Sequence, residues 1–200
     1  MNNYKNSFFA MMSRMKYIER WALMRNSVSE NISEHSLEVA MIAHALAVIG
    51  NVRLGKLYNP EHAAMLGIYH DCTEVITGDM PTPVKYDNPI IRAAYNEIEQ
   101  DAARRIINML PEDMRDYYRC YFGEEDDEEI KKLVRGADKL SALIKCIEEE
   151  KAGNKEFVCA KEAIKEAIDN MECEEAEIFC REFLEAYGKT LDELLMHTTA

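Results

Sequence analysis

The sequence has little basic charge, no paired cysteine motif, few glycines and prolines, and one tryptophan, and each scarcity excludes something. Lys and Arg number 24 against 37 Asp and Glu, for a formal net charge of −13. That argues against long nucleic acid, which needs a basic face to replace counterions. A single phosphate stays accessible, because one metal ion and one or two Arg or Lys can meet it locally. The acid is concentrated in Glu124-Glu125-Asp126-Asp127-Glu128-Glu129 and Glu148-Glu149-Glu150, both read as solvated faces. The six cysteines (72, 120, 146, 159, 173 and 180) contain no C-x-x-C, so zinc-ribbon and thioredoxin-like readings have no support. Free and mostly buried thiols are expected, with Cys72 an oxidation liability rather than a nucleophile. No unbroken apolar run reaches the roughly 18 residues that cross a bilayer. Met1-Asn2-Asn3-Tyr4-Lys5-Asn6-Ser7 lacks the apolar segment of a signal peptide. The expectation is a cytoplasmic chain with no membrane partner.

Strand-like alternation is also missing, and helical periodicity fills the chain. A helix is expected over residues 8–17. Residues 18–26 follow, with Arg20, the lone Trp21 and Arg25. A loop at 29–33 closes on an N-cap, Asn31 or Ser33, with Glu34 in the first turn. The next helix, from His35 to a C-cap at Gly50, is apolar nearly all round and reads as central. After a basic loop (Arg53, Lys56), Asn59 caps and Pro60 opens a helix that continues past Asp71 to about Gly78. Three prolines in 79–89 predict a fixed extended loop, a good place to hold a small ligand. Helices are expected at 90–109 and from Pro111 to about 121. A long helix at 127–152 has the apolar stripe Ile130, Leu133, Val134, Ala137, Leu140, Ile144 and Ile147. Two more follow, at 157–171 and 174–196. The sum is an all-α single domain of about seven to nine helices. The metal site falls between about 20 and 140, and helices 155–197 complete the fold.

The chemistry concentrates in Tyr69-His70-Asp71-Cys72-Thr73-Glu74. If the helix continues, Glu74 lies four residues after His70 and three after Asp71, near one face. Imidazole and carboxylate together suit a borderline divalent ion such as Mn, Co, Fe or Zn. A carboxylate beside such an ion, not needed as ligand, can move protons for a hydrolytic water. Each residue also has a plain reading. His35 can be an ordinary first-turn residue, Trp21 a core residue, and Glu74 a surface residue. Asp138 lies beside the long helix's apolar stripe, where a carboxylate needs a cation, a donor or a metal. His44, His62 and His197 match no motif and read as structural or surface. Lys85 is open between a phosphate contact and a loop salt bridge.

Several stretches carry a resemblance: Arg20-Trp21-Ala22-Leu23-Met24-Arg25, Ser33-Glu34-His35-Ser36, Tyr69-His70-Asp71, Glu74-Val75, and Thr77-Gly78-Asp79-Met80-Pro81-Thr82-Pro83-Val84-Lys85-Tyr86. Together they resemble the HD-domain metal-dependent phosphohydrolases, and most the bacterial 5'-deoxynucleotidases of the YfbR type. The likeness covers nearly the whole chain, with Met80 where Leu is expected. It implies a single HD-domain helical bundle across 1–200. It implies one divalent metal (Co, Mn or another transition ion) held by His35, His70, Asp71 and Asp138. It implies that Glu74 activates the attacking water or protonates the leaving oxygen. It also implies that Arg20 orients the phosphate, Trp21 packs the sugar or base side, and Asp79, Met80, Pro81 and Thr82 shape the nucleoside pocket, with Lys85 nearby. The implied substrates are deoxyribonucleoside 5'-monophosphates and the implied assembly is a homodimer. The competing readings are another HD phosphohydrolase chemistry, on a triphosphate or cyclic nucleotide, and a non-catalytic nucleotide-binding protein.

Overall fold

A computed structural model describes residues 6–85, 88–122 and 128–196. Among the described residues there is no strand, only an isolated antiparallel bridge between Glu19 and Asn31. The α-helical segments are α1 (Phe8–Met12), α2 (Ile32–Arg53), α3 (Pro60–Tyr69), α4 (Glu74–Thr77), α5 (Thr82–Lys85), α6 (Pro89–Ile107), α7 (Glu112–Arg119), α8 (Glu128–Lys151), α9 (Val158–Asp169), α10 (Glu174–Phe183) and α11 (Leu191–Met196). Short 3₁₀ turns punctuate them. The all-α expectation holds. Some of the acidic run and His197 fall outside the described residues.

The element ends depart from expectation for local reasons. The first helix stops at Met12 and resumes as a 3₁₀ turn at Met15–Tyr17, with the Ser13 hydroxyl bonding back to the Phe9 carbonyl. Gly50 is not a C-cap. It lies inside α2, where a Cβ would come within 2.5 Å of the Tyr58 ring and glycine is therefore required; the helix ends at Arg53, before Gly55 at φ 68°. Asn59 does cap α3, its side chain accepting the His62 N–H at 3.0 Å. That helix ends at Tyr69, and a tight turn leads into α4 instead of unbroken helix to Gly78. The proline-rich loop is not wholly extended. The Pro81 carbonyl accepts the N–H groups of Val84 and Lys85, closing α5, and the Asn88 side chain then caps α6 with Pro89 at its first position. The expected final helix is divided into α10, a 3₁₀ stretch at Leu184–Gly188, and α11.

By length and composition alone, α2 is long and apolar enough to cross a membrane. Yet 56% of its most apolar window is buried inside the protein, as in a core helix.

The chain divides into two compact units. The first comprises Met1–Arg25, Ser29–Leu37 and Ile68–Asp127. Its core is Phe8, Ile106 and Leu110, with Tyr69, Tyr118 and Phe122 packed against them. The second comprises Asn26–Val28, Glu38–Gly67 and Glu128–Ala200. There α8 packs on α9 and α10, burying Leu133, Leu140, Leu143, Ile144, Phe157 and Phe179. Also in this unit, α3 approaches α2 closely at Gly67, where a Cβ would lie 2.8 Å from the Ala40 Cα.

Candidate metal and phosphate site

His35 sits in the first turn of α2, and that turn is well anchored. Asn31 is the cap, its Oδ1 accepting the N–H groups of Ser33 (3.0 Å) and Glu34 (3.2 Å). The Glu34 carboxylate accepts the Asn31 N–H at 3.2 Å in return, a reciprocal capping box. The imidazole of His35 is fully buried.

His70 and Asp71 follow the last residue of α3. Tyr69, just before them, stacks on Tyr121 and Phe122 (ring centroids 5.6 and 6.1 Å). Phe8 also packs against Tyr69 and Tyr118. This aromatic packing fixes where the His-Asp turn begins. Asp71 Oδ2 then lies 3.0 Å from His70 Nε2 and 3.5 Å from His35 Nε2. The two imidazole rings are 5.1 Å apart, and their ligand atoms lie within 4.8 Å of each other. Burial alone would raise the Asp71 carboxyl, but His70 and His35 outweigh it and hold it well below the usual range. Two imidazole nitrogens converging on one ionised carboxylate oxygen form a donor set that fits a borderline divalent cation.

Glu74 opens α4 one short turn later, its N–H bonded to the Asp71 carbonyl at 3.0 Å. It is buried, and its Oε2 accepts no hydrogen bond from the described residues. Burial pushes this carboxyl up to about 9; Asp71 and Asp79 push the same way, while Lys85 and Arg20 oppose them. A buried acid among other acids, beside a candidate cation site, is a candidate for proton transfer. The i+4 spacing to His70 survives, although a turn and not a continuous helix produces it.

Arg20 and Trp21 are carried by the bridge that links Glu19 with Asn31. The Arg20 N–H bonds the Glu30 carbonyl at 2.9 Å, and the Ile32 N–H bonds the Ile18 carbonyl at 3.0 Å. One oxygen of Glu30 accepts from both side chains: the Arg20 guanidinium at 2.8 Å and the Trp21 indole N–H at 3.0 Å. Trp21 has φ 58°, left-handed backbone that a bulky residue rarely adopts. Its backbone N–H bonds the Asp79 carboxylate. Burial raises the Asp79 carboxyl, and Arg20 draws it back down in part. Cys72 is fully buried and its thiol is pushed up by that burial, so the expected oxidation liability is not met.

Lys85 pairs with Glu99 at 2.9 Å and lies over the Tyr95 ring at 4.7 Å, the salt-bridge alternative of its two readings. Met80 and Pro81 are half-buried beside Asp79, while the Thr82 side chain falls outside the described residues. Asp138 is on α8 in the second unit, 3.5 Å from the Lys139 ammonium. Glu30 and Tyr69 have no expected role from the sequence. The bridge that turns Glu30 onto Arg20 and Trp21 leaves no periodic trace in the sequence. Tyr69 precedes the doublet directly, within the Tyr69-His70-Asp71 stretch, and its stacking partners lie in the aromatic run at 117–122.

The sequence matches the family described as 5'-deoxynucleotidase YfbR-like over residues 7–187. A 5'-deoxynucleotidase of Vibrio cholerae serotype O1 is 47% identical over 191 residues, covering 95% of this chain and 98% of that protein. One of Yersinia pestis is 46% identical over 188 residues, covering 94% and 95%. Among solved structures, an HD-domain phosphohydrolase of Listeria innocua superposes with a TM-score of 0.76 at 23% identity, covering 96% of each chain. A cyanophage S-2L HD phosphohydrolase, bound to dA and one catalytic Zn²⁺, gives 0.67 at 18% identity over 90% and 96%. The two structures share the fold of this chain.

Proposed function

This chain belongs to the YfbR-like 5'-deoxynucleotidase family and is a hydrolase of that type, and from that premise we propose how its residues act on deoxyribonucleoside 5'-monophosphates. The single observation that carries the reading is the convergence of His35 and His70 on Asp71, with the buried carboxyl of Glu74 one turn away. His35, His70 and Asp71 would hold one divalent ion, with Asp138 as the fourth ligand that the resemblance implies. Such an ion polarises a phosphoryl oxygen and makes water a stronger nucleophile near neutral pH.

The protein's own groups do the rest. Arg20 neutralises charge on the non-bridging phosphate oxygens; its fork of donors suits two of them at once. Glu74, from its buried position, moves the proton between the attacking water and the leaving 5'-oxygen. Trp21 lays its aromatic face against the sugar, where close packing at C2' leaves no room for a ribose hydroxyl. Asp79, Met80, Pro81 and Thr82 line the nucleoside side. Cobalt or manganese as the ion, a homodimer and a cytoplasmic location belong to the same reading.

Phosphate release from dAMP and from AMP, with cobalt or manganese added and with EDTA as control, tests it. Fast, chelator-sensitive release from dAMP with little from AMP is expected. Equal rates would remove the sugar selectivity. No release from either would remove the monophosphatase and turn attention to triphosphates and cyclic nucleotides.

A further inference from the structure

Glu30 has a position that the phosphatase chemistry does not itself require. It is half-buried, and a single carboxylate oxygen, Oε2, accepts from the Arg20 guanidinium at 2.8 Å and the Trp21 indole at 3.0 Å. The guanidinium carbon lies 5.7 Å from the indole centroid. One acceptor shared by two donors fixes the distance and angle between them. Trp21 is held at its other end too, through its backbone N–H on the Asp79 carboxylate, and it keeps a left-handed φ of 58°. Backbone strain of this kind costs on the order of 1–3 kcal/mol and persists only where the surroundings enforce it. A tryptophan needed only for packing would not require two carboxylates and a strained backbone.

We propose that Glu30 is a specificity-determining positioning residue, which fixes the Trp21 indole at a set distance from the Arg20 guanidinium and so matches sugar packing to phosphate position. The proposal rests on the deoxynucleotidase reading above for the identity of what Arg20 and Trp21 meet. In one bound conformation a nucleotide's phosphate and its C2' lie at a set distance. A cation and an aromatic face locked at one spacing can therefore measure whether a 2'-hydroxyl is present. With the indole free to swing, the added hydroxyl is accommodated. Glu30 touches neither phosphate nor sugar in this scheme and acts only through its two neighbours.

Trp21 is the sole tryptophan, so its emission reports its own surroundings without interference. The experiment compares wild type, Glu30→Gln and Glu30→Ala by three readouts: tryptophan emission and anisotropy, thermal unfolding, and kcat and KM for dAMP and AMP with added cobalt. Glu30→Ala is expected to shift the emission and lower the anisotropy. It should cut the dAMP-over-AMP preference in kcat/KM on the order of tenfold, the scale of one lost packing discrimination, with the dAMP loss mainly in KM. Glu30→Gln keeps an acceptor oxygen and should restore most of both. A Glu30→Ala protein with wild-type emission and wild-type sugar preference, whatever its melting temperature, would overturn the proposal. A loss of kcat alone, with preference intact, would also overturn it. If wild type releases no phosphate from dAMP, the underlying reading fails. The emission then still decides whether Glu30 orients Trp21: unchanged emission in Glu30→Ala overturns that as well.

Discussion

Two buried polar clusters, one in each compact unit, are built on opposite principles. In the first, Glu74 is buried with Asp71 and Asp79 acting on it, one of its oxygens accepts nothing from the described residues, and its carboxyl is pushed up to about 9. In the second, Glu149 on α8 is just as buried, yet it is saturated with donors. It pairs with the Lys145 ammonium, and it accepts the Ser27 N–H at 2.8 Å and the Asn154 side-chain amide at 2.7 Å. Burial would raise this carboxyl too, but those donors pull it down to about 2. A buried acid without donors is destabilising and survives where chemistry uses it; one with every lone pair satisfied fastens the fold. The same residue type, equally buried, is therefore left with an open oxygen beside the candidate site in one place and is a clasp on the segment Asn26–Val28 in the other.

The largest effect should come from the first cluster's ligand pair. His70→Ala is expected to abolish phosphate release and also divalent-metal binding, measured by calorimetry on the purified protein. Metal retention at wild-type affinity would remove His70 from the ligand set. Next is the second cluster. Lys145→Ala strands Glu149 without its cation, and removing one partner of a buried pair costs about 3–5 kcal/mol. That corresponds to a melting temperature lower by roughly 10 °C in a chain of this size. A shift under about 2 °C would mean the clasp is not what holds α8 to the 26–28 segment.

The smallest and most selective test uses acid. The Glu149 carboxyl is depressed from 4.5 to about 2. Its contribution to stability is therefore fully present above about pH 4.5 and is lost as pH falls toward 2. Wild type should lose stability across that window more steeply than Glu149→Gln, as followed by denaturant midpoints. Parallel slopes would contradict the donor-saturated description.

The all-α class was legible because apolar residues recur at helical spacing, as on α8 and α10, and strand-like alternation is missing. Helix ends were less so. Gly50 looked like a cap in one dimension, but it is a close contact with Tyr58, which only the packed helix makes visible. The His70-Asp71-Glu74 cluster could be proposed from spacing, although a turn and not a helix delivers it. His35 lies 35 residues from His70, and spacing says nothing at that range; the family resemblance supplied it. Glu30 could not be found at all, because its role depends on the bridge of Glu19 to Asn31 that turns it toward Arg20 and Trp21.

The central claim is that the first cluster trades stability for chemistry, and one variant addresses it directly: Glu74→Gln, assayed for phosphate release from dAMP with its melting temperature taken on the same sample. The amide keeps the shape and removes the crowded acid. Turnover is expected to fall by about 10²-fold or more, as for loss of a general acid–base group, while the melting temperature stays level or rises. Full turnover, or a protein markedly less stable than wild type, would contradict it.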